Sequence, residues 1–196
     1  MPVQKTKICL IGGTFDPIHL GHTYIAAEAK RRCSLDKVIF LPCKQSPHKM
    51  GGSPTADAHR LAMCQLATQG FEWAEVDDFD LCSPPPSYSW RTAEHFKTLY
   101  PAAELYWLMG TDQWNSLPRW NRPDHFASLV KFIVYTRNQD KPQEYEQYQC
   151  TLLQGIHPAS ATAIRNHPKS ASSIAWLNPA VQQYILKNKL YSADPP

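Results

Sequence analysis

The stretch from residue 8 to residue 33 constrains the fold of this 196-residue chain more than any other. It opens with ICLI, a short apolar run typical of a buried parallel strand, and Gly12 and Gly13 end that run. We predict a loop and then a helix that starts near Gly21 and ends around Cys33. A glycine backbone and a helix N-terminus can both approach an anion closely, so the stretch predicts a phosphate-binding loop. Two glycines between a strand and a helix, taken alone, fit an ordinary tight turn equally well.

Two histidines stand at the predicted start of this helix. His19 and His22 are three residues apart, so both imidazoles lie on one face if the helix has begun by His19. Both rings would then lie at the N-terminus, where the loop is expected to hold phosphate.

Composition agrees with one compact enzyme domain over residues 1–196, because 43% hydrophobic residues are enough to build a core. A formal charge of +3 and a pI near 8.5 suit small anionic substrates better than a long nucleic acid. We therefore expect no nucleic-acid partner. So mild a charge also fits a role in solubility alone.

The chain shows no targeting or membrane signal. The first seven residues, MPVQKTK, contain no apolar signal region, and no run approaches the roughly 20 residues of a membrane span. The six cysteines are scattered without a C-x-x-C pair, so we expect reduced thiols and no structural metal. These features predict a cytoplasmic protein without a membrane partner.

Short apolar runs alternate with helical patterns along the chain, which predicts an α/β fold, a doubly wound Rossmann-like parallel sheet with helices on both faces. The predicted strands are 8–11, 38–41, 73–76, 105–109, 132–135 and 151–153. The predicted helices are 21–33, 53–69, 89–100, 112–117, 123–129, 161–166 and 179–188. We expect 77–86 to be an exposed loop and 141–149 a mobile polar excursion. Ligands of such a sheet bind at the carboxyl ends of its strands.

The segment GGTFDPIHLGH, residues 12–22, resembles the phosphate-binding signature of the nucleotidyltransferase superfamily. In that superfamily an H-x-G-H element stabilises charge on the α-phosphate of a nucleotide, and HLGH is that element here. The longer form GGTFDP followed by histidine resembles the bacterial nicotinate-nucleotide adenylyltransferases in particular. The resemblance implies catalytic roles for His19 and His22, and ATP or phosphate contacts for Gly12, Gly13, Thr14 and Phe15.

Two later loops resemble the same family. PHK, residues 47–49, follows the second predicted strand, and the resemblance implies that Lys49 contacts a phosphate with His48 beside it. SYS, residues 87–89, implies that Tyr88 and Ser89 bind the pyridine ring, whose carboxylate would meet backbone N–H groups at the helix start. Alone, the first loop would be a solvated turn and the second a helix cap.

After the fourth predicted strand, GTD and LPRW follow at the spacing of the family. The resemblance implies that Asp112 accepts hydrogen bonds from a ribose and that Trp120 stacks on the pyridine. Asn121 stands where a larger residue is common and would adjoin the pyridine pocket. Trp107 and Trp114 are expected in the core.

Near the C-terminus, SATAIR, residues 160–165, resembles the second phosphate motif of the family. The hydroxyls of Ser160 and Thr162 and free N–H groups would hold the β- and γ-phosphates, and Arg165 would neutralise them. Arg137, just after the fifth predicted strand, could add charge. Ala159 replaces the isoleucine usual in the family, which affects packing.

The resemblance implies an enzyme that transfers the adenylyl group of ATP to nicotinate mononucleotide, giving nicotinate adenine dinucleotide and pyrophosphate on the route to NAD. The acceptor phosphate attacks in line without a protein nucleophile, and Mg²⁺ is carried by the ATP phosphates. No protein ligand to the metal is assigned, although Asp16 is a position to test. Nicotinamide-mononucleotide or pantetheine-phosphate adenylyltransferase, cytidylyltransferase and non-catalytic nucleotide sensor are the alternatives, and a homo-oligomer stays open.

Overall fold

The computed structural model describes residues 5–45, 53–137 and 141–191. Within these residues the strands form one parallel sheet in the order β3-β2-β1-β4-β5-β6. The strands are β1 Lys7–Gly13, β2 Lys37–Pro42, β3 Ala74–Val76, β4 Glu104–Gly110, β5 Lys131–Arg137 and β6 Cys150–Gly155. The chain changes direction across the sheet between β1 and β4, and such a switch point opens a crevice for ligands. The predicted fold class is confirmed.

The helices connect these strands. They are α1 Leu20–Cys33, α2 Asp57–Thr68, α3 Phe79–Cys82, α4 Ser89–Leu99, α5 Thr111–Ser116, α6 Pro123–Leu129, α7 Ala161–Asn166, α8 Ala171–Ala175 and α9 Pro179–Lys187, with a 3-10 turn at Leu117–Arg119. α1 ends at the residue expected, and Ser34 closes it in the left-handed conformation.

Each face of the sheet has its own core. Cys9 and Ile11 of β1 belong to a core that includes residues of α1, α2 and α9. Ile8 and Leu10, which point the other way, belong to a core that includes residues of α4, α5 and α6. Because the central strands are covered on both faces, they read as unbroken apolar runs in the sequence.

The helices differ from the prediction in three main places. α2 begins at Asp57 and not at residue 53, because the Thr55 carbonyl accepts a hydrogen bond from the Arg60 side chain instead of a helical N–H. α3 lies inside the predicted loop 77–86 and carries the buried Asp80. α8 was not predicted, since a five-residue, serine-rich helix presents no apolar periodicity.

The polar segment 141–149 lies against the body of the protein instead of projecting into solvent. Trp114 donates its Nε1–H to the Gln143 carbonyl oxygen at 2.7 Å, and the Tyr148 hydroxyl donates to Asp124 at 2.6 Å. Tyr148 is buried among the core side chains. Two tyrosines, Tyr145 and Tyr148, hold this otherwise polar segment in place.

Neither a bilayer-spanning helix nor a disulfide is present in the described parts of the chain. None of their helices is long and apolar enough to cross a membrane. All six cysteines fall within these parts and are free thiols, as predicted. Trp107 and Trp114 are both buried, as expected.

Candidate active site

A cavity of about 1080 Å³ opens at the carboxyl edge of the sheet. Its described lining comes from the ends of β1, β2, β4 and β5 and from the loops around α3, α4 and α7. Many predicted site residues line it together: Gly12, Gly13, Thr14, Phe15, His22, Ser89, Asp112, Trp120, Arg137 and Arg165. His19, Tyr88, Asn121, Ser160 and Thr162 stand outside this lining. His48 and Lys49 lie outside the described residues.

The two glycines at the end of β1 make room for aromatic rings. A Cβ on Gly12 would lie 3.0 Å from the Trp107 ring, and one on Gly13 would lie 3.0 Å from the Phe15 ring. Phe15 has a φ of 49° and a buried ring that meets the His22 ring edge-on, with centroids 5.1 Å apart. The loop therefore supports the imidazole that enters the cavity.

The two histidines form a stacked pair, with ring centroids 3.7 Å apart. His19 is the N-cap residue of α1, and its backbone N–H donates to His22 Nδ1 at 3.2 Å. This bond requires an unprotonated Nδ1, so the proton of a neutral His22 ring sits on Nε2. Burial, followed by the charges of His157 and Arg137, lowers the pKa of His19 to about 3. The pair therefore acts through N–H groups and not through a charged His19.

Fewer amides are available at the start of α1 than its sequence suggested. The Leu20 N–H donates to the Trp176 carbonyl at 2.8 Å, and the His22 N–H donates to the His19 carbonyl at 2.9 Å. The first of these bonds docks the end of α8 against α1. The dipole of α1 still favours an anion here, while part of its donor set is already used.

The C-terminal motif is joined to the first loop by its arginine. Arg165 donates Nη1 to the Asp16 carbonyl oxygen at 2.5 Å and Nη2 to the Thr162 hydroxyl at 3.3 Å. Ser160 is the N-cap residue of α7, and its Oγ accepts from the Ala163 N–H at 3.4 Å. Arg165 thus reaches the cavity, whereas the two hydroxyls serve the helix itself.

The far end of the cavity is formed around the start of α4. Ser89 is the first residue of this helix and lines the cavity with Ser87. The Ser87 N–H donates to the Gln45 carbonyl at 3.1 Å, which fixes this loop to the end of β2. Tyr88 is the N-cap residue, and its ring lies beside the Arg91 guanidinium, 5.1 Å away.

Trp120 and Asn121 have different surroundings although they are neighbours in sequence. Trp120 stacks on Phe126 with centroids 6.0 Å apart and donates Nε1–H to Ser116 Oγ at 2.9 Å, and it also lines the cavity. Asn121 Oδ1 accepts the Trp90 Nε1–H at 2.9 Å. The Asn121 carbonyl is therefore engaged by a protein donor.

Sequence reasoning missed Asp80, a carboxyl group in the cavity lining that is 5% exposed. Thr92 donates its hydroxyl to Asp80 Oδ1 at 2.6 Å. Burial raises the pKa of Asp80 to about 6. Its four-residue helix FDLC is too short to give a periodic pattern, so no sequence signal marked this residue.

A metal site made of protein side chains is not found in the described ranges, where no three His, Cys, Asp or Glu residues are grouped for it. The acidic residue beside the phosphate loop, Asp16, already accepts hydrogen bonds from Tyr191 at Oδ1 and from the Thr55 N–H at Oδ2. The cavity lining instead contains the donors Arg137, Arg165 and His22. These residues suit an anionic ligand that brings its own cation.

Comparison with known proteins gives one family. Residues 10–167 match the model of the cytidylyltransferase-like family. A protein of Methylacidiphilum infernorum named "Probable nicotinate-nucleotide adenylyltransferase" is 42% identical, with 96% of this chain and 95% of the relative covered. A protein of the same name from Staphylococcus epidermidis is 35% identical, with 96% and 98% covered. The solved structure of Plasmodium falciparum nicotinic acid mononucleotide adenylyltransferase with NaAD has a similar fold, with a TM-score of 0.77, 17% identity and 96% and 98% coverage.

Proposed function

The chain belongs to the cytidylyltransferase-like family and, within it, to the nicotinate-nucleotide adenylyltransferases, and we propose that the cavity at the sheet edge is its active site. The enzyme transfers the adenylyl group of ATP to nicotinate mononucleotide, giving nicotinate adenine dinucleotide and pyrophosphate in NAD biosynthesis. The observation that carries the site assignment is the convergence of His22, Arg165 and Trp120 on one cavity, from three distant parts of the chain.

ATP would lie with its phosphates between the β1 loop and α7. Arg165 and Arg137 line this end of the cavity, and both are permanently charged donors that suit the β- and γ-phosphates. Lys49, with His48 beside it, is assigned to a substrate phosphate from sequence alone. Asp112, exposed at the start of α5, would accept from a ribose hydroxyl.

His22 would act on the α-phosphate. Its Nε2–H can donate to a phosphate oxygen whose charge grows as the acceptor phosphate attacks and pyrophosphate departs. His19 would hold the tautomer of His22, because its backbone N–H occupies Nδ1. No protein nucleophile takes part, so catalysis consists of positioning and hydrogen bonding.

The acceptor would lie at the opposite end, with its pyridine against Trp120 and its carboxylate at the start of α4. Backbone N–H groups at the first turn of a helix bind anions, and Ser89 is the first residue of α4 there. Tyr88 lies outside the cavity lining and would support the start of α4 without contacting the acceptor.

Mg²⁺ fits this site as a cation carried by the ATP phosphates, where it would offset their negative charge. The protein residues would then contact the phosphates directly and leave the inner coordination of the metal to phosphate and water. Asp16 is already hydrogen-bonded at both carboxylate oxygens, which favours a role in the loop. We also infer a cytoplasmic location, where ATP and pyridine nucleotides are available.

A panel of acceptors tests this function. Nicotinate mononucleotide, nicotinamide mononucleotide and phosphopantetheine are each incubated with ATP or CTP and Mg²⁺, and pyrophosphate release is measured. We expect the highest kcat/KM with ATP and nicotinate mononucleotide. Faster turnover of another pair would contradict the substrate assignment, and binding without pyrophosphate release would identify a sensor.

A further inference from the structure

The end of the described chain is hydrogen-bonded to the phosphate-binding loop. Tyr191 donates its hydroxyl hydrogen to Asp16 Oδ1 at 2.6 Å, across 175 residues of sequence. Asp16 lies between β1 and α1, is 8% exposed and lines the cavity. The contact between the C-terminal segment and the loop therefore passes through one buried carboxylate.

The same carboxylate is anchored from the side of α2. The Thr55 N–H donates to Asp16 Oδ2 at 3.2 Å. Arg60, whose side chain is fully buried, donates to the Thr55 carbonyl at 2.9 Å and to the Thr14 carbonyl at 2.6 Å, and it also contacts Asp57. The loop is thus held at the Thr14 carbonyl and at both carboxylate oxygens of Asp16, and Tyr191 supplies the bond that comes from the end of the described residues.

Tyr191 makes this contact from an unfavourable backbone conformation. Its φ of 59° lies in the left-handed region, which is unfavourable for a residue with a Cβ. Burial, followed by the hydrogen bond to the Asp16 carboxylate, raises the pKa of the Tyr191 hydroxyl. The hydroxyl therefore remains a donor throughout the physiological pH range.

We propose that Tyr191 is a positioning residue for ATP binding, because its hydroxyl fixes Asp16 and thereby the carbonyl that anchors Arg165. Asp16 offers its side chain to Tyr191 and its main-chain oxygen to Arg165, so a rotation of Asp16 would disturb both. This inference rests on the proposed function, in which Arg165 and the β1 loop bind the ATP phosphates. No direct contact of Tyr191 with the nucleotide is required.

The test compares two tyrosines of the C-terminal segment. Tyr191→Phe removes only the hydroxyl, and we expect the dissociation constant of Mg-ATP, measured by calorimetry without acceptor, to rise about tenfold, because Arg165 would no longer be held in position for the phosphates before ATP binds. The KM of the acceptor should stay unchanged. Tyr184→Phe is the matched control, since the Tyr184 hydroxyl pairs with the His59 ring at 2.9 Å, and it should leave ATP affinity unchanged.

Amide hydrogen exchange adds a structural readout. In Tyr191→Phe we expect faster exchange at the Thr14 and Phe15 amides, with no change in the middle of β1.

Wild-type ATP affinity in Tyr191→Phe would overturn the proposal, and so would equal weakening of ATP binding in both tyrosine variants. If Tyr191→Phe melts below the assay temperature, Asp16→Asn takes its place, because it replaces one of the two carboxylate acceptors with an NH₂ donor. Unchanged ATP affinity there also overturns the proposal. The calorimetric titration contains no acceptor, so its result can be interpreted even if the acceptor assignment is wrong.

Discussion

The position of the proton on His22 decides what this side chain can offer to a phosphate. Nδ1 accepts the His19 N–H, so Nε2 carries the hydrogen in the neutral ring. A hydrogen bond donated by Nε2–H strengthens as the acceptor oxygen becomes more negative, as an α-phosphate oxygen would during attack. His19 cannot take over this role as a cation, because its pKa is lowered to about 3.

From this geometry we predict that His22→Ala lowers kcat by about 10²-fold or more with a smaller change in ATP affinity, because the hydrogen bond strengthens in the transition state. Steady-state kinetics with ATP and nicotinate mononucleotide measure both constants. His125→Ala is the control and should match wild type, because His125 is a partly exposed residue of α6 whose ring pairs with Glu94 of α4. An unchanged kcat in folded His22→Ala would remove His22 from the catalytic role.

The choice between a carboxylate and a carboxamide on the acceptor would depend on the hydrogen-bonding groups around the pyridine ring. A pocket of N–H donors leaves the NH₂ of the amide facing donors, so we predict that nicotinate mononucleotide exceeds nicotinamide mononucleotide in kcat/KM by about 10²-fold or more. Asn121 lies outside the cavity lining, and its Oδ1 already accepts the Trp90 Nε1–H. Trp120→Ala should raise KM for both acceptors and keep their ratio, and Asn121→Leu should keep the ratio as well. A ratio near one in the wild type would contradict the prediction.

Among the structural elements, α2 shows what the sequence revealed and what it concealed. Arg60 occupies the apolar stripe with Met63, Cys64 and Ala67 at spacings of three, four and seven, and an arginine at such a position is a detectable sign of a buried cation. The sequence does not reveal its partners, because the Thr14 carbonyl lies 46 residues away. The start of α2 was mispredicted for the same reason, since Arg60 takes the Thr55 carbonyl.

Helix α7 carries the next prediction, because Arg165 connects it to the β1 loop. Arg165→Ala should weaken ATP binding by about 1.5–3 kcal/mol, the range for loss of a charged hydrogen bond. Lys169→Ala removes an exposed cation from the neighbouring turn and serves as the control. Calorimetric titration with Mg-ATP measures both variants. Equal affinity of Arg165→Ala and wild type would show that α7 does not bind the phosphates.

For the whole molecule, the parallel sheet and the positions of its strands along the chain followed from local patterns, whereas the strand order within the sheet and the convergence of the loops did not. Apolar runs buried on both faces marked β1, β2, β4 and β5, and resemblance to a known family named ten residues of the described cavity lining in advance. The contacts that tie the loops together, such as Tyr191 with Asp16, join residues far apart in sequence. Nothing in a local pattern records such a pair, because either side chain alone is compatible with solvent exposure.

Two buried titratable groups make opposite contributions to the pH dependence of folding. His19 has its pKa lowered from 6.5 to about 3 in the folded state, so its contribution is complete above pH 6.5 and is lost as the pH falls. Asp80 has its pKa raised from 3.8 to about 6, so the folded state binds its proton more tightly and gains stability as the pH falls through 6. Between about pH 4 and 6 the two contributions offset each other in the wild type.

Replacing either side chain should therefore reveal the pH dependence of stability that the other one contributes. Relative to wild type, Asp80→Asn should be more stable near pH 7 and lose about 2 kcal/mol of that advantage by pH 4.5, because the wild type gains its Asp80 contribution on acidification. Relative to wild type, His19→Gln should gain a similar free energy of unfolding as the pH falls from 7 to 4.5. The reason is that only the wild type loses stability through the protonation of His19. Urea unfolding at pH 4.5, 5.5 and 7 gives the three free energies of unfolding, provided that the slope with urea stays constant. Between pH 4.5 and 5.5, the free energy of unfolding of the Asp80→Asn, His19→Gln double variant should change with pH nearly as it does in wild type. If the two single variants drift in the same direction, the opposing pKa shifts are not what sets this dependence.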